Sequence, residues 1–150
     1  MKNDKKYHNF VIRLKASNTK MVQQITKGIK VSVKTNFEGT RFDSREVRML
    51  YVFSYEVCIE NQSKDSVQLI GRNWHIFDSL NRTQEINGEG VIGKKPILAP
   101  KEKHTYNSFC MLNAPMGAMR GFFNMINFTS TLKFKVYIPT FQLMAPAIHN

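Results

Sequence analysis

The chain has 150 residues, of which 42% are hydrophobic, with 11 Phe, 5 Tyr and a net charge of +11. That length is one ordinary domain, able to bury roughly two-thirds of its unfolded surface without staples. Two cysteines, Cys58 and Cys110, are too few for a disulfide framework, and no apolar stretch follows Lys2, Lys5 and Lys6 to make a secretory leader. No apolar run reaches the ~18 residues of a membrane span, so the expectation is a cytoplasmic chain with two free thiols.

Residues 1–27 carry seven Lys/Arg against one Asp, while the rest of the chain carries fifteen against ten. The first 27 residues therefore read as a basic extension, either flexible or partly helical. Met21, Val22 and Ile25 stand at helical spacing within it. At Gly28 the pattern changes to period two, and residues 28–150 read as one domain. Ile29, Val31 and Val33 alternate with Lys30, Ser32 and Lys34, which predicts a strand with one wet face. Residues 36–47 are polar and contain Gly39, and read as a loop.

Met49, Tyr51, Phe53, Tyr55, Val57 and Ile59 then share one face of a long strand. The run Asn61 to Ser66 is a turn cluster, and Val67 to Asp78 restarts as a strand, so the pair reads as an antiparallel hairpin. A turn at 79–82 leads to a short strand near Thr83–Ile86, followed by a glycine-rich connection and Pro96 and Pro100. Further strands are expected at about 104–112, 120–128 and 133–138, the last ended by Pro139 because proline cannot donate to a ladder. Phe141, Leu143 and Met144 allow one more short strand. Seven to eight strands with turns every 8–12 residues predict an all-β antiparallel sandwich or barrel. No amphipathic helix links successive strands, which argues against a parallel α/β sheet.

Gly88-Glu89-Gly90-Val91-Ile92-Gly93 matches G-x-G-x-x-G. In a dinucleotide fold this loop opens a helix that holds the pyrophosphate. Here Lys94-Lys95-Pro96 follows, then Pro100, and two prolines within five residues forbid that helix. Two readings stay open. The glycines supply left-handed turn geometry or bulges, or the loop presents backbone N–H groups to an anion with Lys94 and Lys95 adding charge. Arg72 and Trp74 sit two apart and share a strand face with Ile70 and Ile76. Trp74 either fills the core with Arg72 at its rim, or both join a contact surface. Met116 and Met119, in the loop-like stretch 111–121, are the other candidates for contacting a partner.

Several separated motifs then converge. Gly71-Arg-Asn-Trp-His-Ile-Phe77, Gly88 to Gly93, Pro96-Ile-Leu98, Pro100, Tyr106-Asn-Ser108, Pro115-Met-Gly117-Ala-Met119-Arg-Gly121 and Ile138-Pro-Thr-Phe-Gln-Leu143 follow one another in an order and spacing that resembles the ApaG family across residues 28–150. Lys101 and Phe109 stand where that family usually has glycine. The resemblance implies a fibronectin type III-like or immunoglobulin-like β-sandwich. Family domains occur alone in bacteria and as protein-interaction modules in larger proteins, with no established catalytic activity. A pyrophosphate or nucleotide role for the glycine loop and a loose association with cobalt and magnesium handling also attach to the family.

Catalytic constellations are not found. His8, His75, His104 and His149 lack metal-ligand spacing, and Ser108 and Cys110 lack a recognisable partner motif. No metal site and no cofactor are expected. The sequence predicts a non-catalytic module engaging a protein partner through loops or a strand edge. The alternative is a pyrophosphate- or nucleotide-binding accessory or sensor on Gly88, Gly90, Gly93, Lys94 and Lys95. Nucleic acid is not the expected partner, because no interleaving of aromatic and basic residues accompanies the charge.

Overall fold

A computed structural model describes residues 20–147 and contains nine strands and no helix among them. In chain order they are β1 Lys20–Thr26, β2 Ile29–Asp43, β3 Arg48–Asn61, β4 Val67–Asp78, β5 Gln84–Glu89, β6 Ile97–Leu98, β7 Lys103–Leu112, β8 Met116–Asn127 and β9 Lys133–Met144. One sheet runs β1-β2-β3-β7 and the other β5-β4-β8-β9, with β6 also paired to β4. All pairings are antiparallel. The two sheets face one another as the expected fibronectin type III-like or immunoglobulin-like sandwich.

Four of the six alternating residues of β3 meet the other sheet as their spacing requires, while Met49 is exposed and Tyr51 only partly buried. Phe53, Tyr55, Val57 and Ile59 are buried, and so are Leu69, Trp74, Phe123, Met125, Val136, Phe141 and Leu143 opposite. At the centre, Tyr55, Trp74 and Phe141 form a triangle with ring centroids 5.7, 5.7 and 5.8 Å apart. The Trp74–Phe141 pair is edge-on, an orientation the ring quadrupoles favour.

Beyond the loop-like stretch 111–121, which is mostly strand because β7 runs to Leu112 and β8 starts at Met116, four expectations differ from the structure. Met21, Val22 and Ile25 lie on β1, not on a helix, and residues 1–19 of the basic extension lie outside the described residues. A single helical turn is costly to nucleate. The tight turn at Lys27-Gly28, with both φ positive, instead folds the segment back as a hairpin on β2. Second, residues 36–47 are not all loop. β2 continues to Asp43 by absorbing Glu38 as a bulge between Phe37 and Gly39. Third, part of the glycine-rich connection belongs to β5, which runs to Glu89. Fourth, β9 runs through Pro139 to Met144, taking in Phe141, Leu143 and Met144. The pairings Met119↔Phe141 and Gly121↔Ile138 leave one extra residue on β9 beside Pro139. A bulge on an edge strand is where a missing N–H is tolerated.

The expected β3–β4 hairpin does not form, because the chain crosses from one sheet to the other there, and Asn61 closes that crossover. Its side chain is fully buried, donates to the carbonyls of Asp65 at 2.8 Å and Leu98 at 2.9 Å, and accepts from Ser63 N–H and Oγ–H at 2.9 and 2.6 Å. The predicted turn cluster is thereby tied to β6. Replacing Asn61 by Ala strands these groups, and a loss of roughly 2–3 kcal/mol is expected. A lower urea midpoint with an unchanged slope is the check.

Candidate functional site

The two long sides of the sandwich differ. On one, β1 and β2 lie against β9, and Thr26 Oγ1 accepts the Tyr137 N–H at 3.2 Å. On the other, β5 and β7 each end their sheet, and a cleft of about 320 Å³ opens between them. Its floor carries Tyr55 from β3, Arg72 and Trp74 from β4, and Tyr106 and Ser108 from β7. Its rim is apolar, with Ile86, Ile92 and Phe109 all exposed.

A bulge in β4 puts Arg72 there. Leu69 pairs with Met125 and Gly71 with Asn124, so Ile70 is the extra residue. Inward positions are Val67 and Leu69 before the bulge and Arg72, Trp74 and Ile76 after it. Ile76 thus shares a face with Arg72 and Trp74 as expected, and Ile70 does not. Bulges re-aim side chains in this way.

The Arg72 guanidinium lies flat on Gly88, where an added Cβ would stand 2.8 Å from Cζ. Its Nη1 donates to the carbonyls of Glu89 at 2.9 Å and Gly90 at 2.8 Å. The glycine motif is therefore bound to Arg72 through its carbonyls. Two of its N–H groups are spent within the protein, Gly90 N–H on Ile70 O and Val91 N–H on Lys94 O, and Lys94 N–H returns to Val91 O. Ile92 and Gly93, with φ of 48° and 71°, make the two-residue turn of this small hairpin. Positive φ at both positions is the geometry that matches strand twist. Lys95 Nζ lies 3.3 Å from Glu89 Oε2, and the Lys94 side chain is exposed.

The predicted partner residues separate. Trp74 and Met119 are 4% and 2% exposed and form the inner wall of the cleft, while Met116 is half exposed and lies outside it. Burial is why neither Trp74 nor Met119 stands on an outer surface.

Sequence reasoning missed Tyr55 and Tyr106 as site residues, because period two marks them only as core. Burial pushes both phenols above the usual tyrosine range, against a smaller downward pull from Arg72. Both remain O–H donors at neutral pH. Tyr55 and Ser108 share a hydrogen bond, whereas Tyr106 Oη is buried without a hydrogen-bond partner. Burial also pushes the Cys110 thiol up to about 11. Among the described residues no three His, Cys, Asp or Glu side chains converge as a metal-ligand set, and no helix is long and apolar enough to cross a membrane.

The Gly88→Ala variant is expected to lift the guanidinium off both carbonyls and cost about 2 kcal/mol, the scale of charged hydrogen bonds. Denaturant unfolding reads the loss, and the Arg72 side-chain N–H resonance reads the displacement. An unmoved resonance would contradict the stacking account.

Comparison with known proteins agrees with this architecture. Residues 41–127 match the family model for the ApaG domain. Protein ApaG of Methylobacillus flagellatus is 43% identical over 118 residues, covering 79% of this chain and 91% of that protein. Protein ApaG of Mesorhizobium japonicum is 39% identical over 126 residues, covering 84% and 95%. The crystal structure of a putative ApaA protein from Bordetella pertussis superposes with a TM-score of 0.69 at 33% identity, over 87% of this chain and 98% of that one. Matched in sequence along most of its length and in the path of its strands, the chain belongs to the ApaG family.

Proposed function

We propose that this chain is a non-catalytic binding module that receives an extended segment of a protein partner along the open side of its sandwich. The observation that carries this reading is β7. Among the described residues it pairs with β3 on one side and with no strand on the other, and it leaves Phe109 66% and Met111 49% exposed. An edge strand presents a row of backbone donors and acceptors to an incoming chain, and alternate side chains of that chain find pockets. The cleft supplies such a pocket directly beside β7.

The chemistry of the floor favours binding over catalysis. The hydroxyl partner of Ser108 is the phenol of Tyr55, not an imidazole or carboxylate that would activate it. The Cys110 thiol, at about 11, stays protonated at neutral pH. The floor offers donors and apolar walls, and the one carboxylate lining the cleft, Glu89, is paired with Lys95.

Random linear peptides selected by display on the full chain test the reading. Selected peptides are expected to shift the amides of residues 103–112. Phe109→Lys is expected to weaken them about tenfold while changing stability by no more than ~0.5 kcal/mol, since the side chain is exposed. Failure to enrich any peptide, or peptides that map away from β7, would remove the proposal.

A further inference from the structure

The floor of the cleft holds a cation without an anion. No carboxylate of the described residues lies within ion-pair distance of Arg72. Nη1 is committed to two carbonyls, and among the described residues Nε–H and the Nη2 hydrogens meet no hydrogen-bond acceptor. Beside it, Tyr106 is only 8% exposed, lines the cleft and has an Oη with no partner. A buried hydroxyl left unpaired is costly, and such groups in native proteins call for an explanation. The Tyr55–Ser108 pair adds hydroxyls to the same floor.

These groups share one complement. A guanidinium edge accepts a carboxylate in parallel N–H···O contacts, and a phenol O–H donates to a carboxylate oxygen. One positive charge balances one negative charge. A phosphate dianion would bring a second negative charge into a cleft that Glu89 also lines. Resting on the edge-strand reading above, we infer that the bound partner segment is acidic, with one Asp or Glu side chain seated on Arg72 and Tyr106. Apolar residues two positions to either side would pack on Ile92 and Phe109. Alternation makes this geometry natural, because only every second side chain of an added strand turns toward the interior. The chain's net charge of +11 favours the approach of such a segment.

The test uses the peptides selected on the full chain. They are expected to share an acidic residue at one position, and its replacement by the matching amide should weaken binding about tenfold or more, the scale of a charged hydrogen bond. Tyr106→Phe is the decisive variant. It deletes an unpartnered hydroxyl, so it should leave stability equal or higher, yet it should shrink the acid-over-amide preference. Arg72→Met should abolish that preference, with β-sheet dispersion confirming that the variant folds. Acetate and inorganic phosphate titrated into the full chain supply the other arm, and acetate should shift the Arg72 Nε–H at least as strongly. Peptides that map to β7 without acid preference would overturn the inference and leave the edge reading standing. So would a preference untouched by Tyr106→Phe, or a response to phosphate alone. An absence of peptides at β7 would overturn both.

Discussion

A guanidinium turned toward the interior of a sandwich is costly unless its donors are met. Arg72, half-buried at the cleft, offsets part of that cost by donating from Nη1 to the carbonyls of Glu89 and Gly90, and much of the local architecture follows from that pair of bonds. The bulge at Ile70 is what aims the side chain inward. Gly88 is required because the guanidinium occupies the space of its missing Cβ. The hairpin of residues 91–94 is held over the cleft mouth through the same contacts. A motif that looks like a phosphate cradle is thus an acceptor for an arginine, with its carbonyls rather than its N–H groups turned to the charge.

Much of the fold was legible because burial and alternation coincide on β3, β4 and β9. Where parity changed, the sequence misled. The extra residues Glu38 and Ile70, and the one beside Pro139, each shift a strand by one position, and nothing in hydrophobic pattern announces a one-residue insertion. β1 was obscured for a different reason. Its side chains are mostly exposed, so its pairing with β2 rests on backbone bonds that composition does not encode. At the site, the family motifs located Arg72, Trp74 and the glycine loop. They included Tyr106 but gave neither it nor Tyr55 a site role, because their polar ends matter only once two sheets bring them to one opening.

The two residues that depart from the family's usual glycines also divide cleanly. Lys101 keeps a φ of 75°, so the left-handed turn survives with an ordinary side chain and a modest strain. Phe109 lies on β7 at the rim of the cleft, two-thirds exposed. One departure leaves the backbone path unchanged, and the other adds an aromatic surface at the opening.

The contrast between the two sides of the sandwich sets a stoichiometry. On the proposed edge reading, with β1 and β2 packed against β9 and β5 ending its sheet after six residues, β7 is the long open edge beside the cleft among the described residues. A module with one such edge can add one guest strand, or meet a second copy edge to edge about a two-fold axis, and growth then stops. The chain can thus keep an apolar, hydrogen-bonding border in water without offering the second border that a polymer would need.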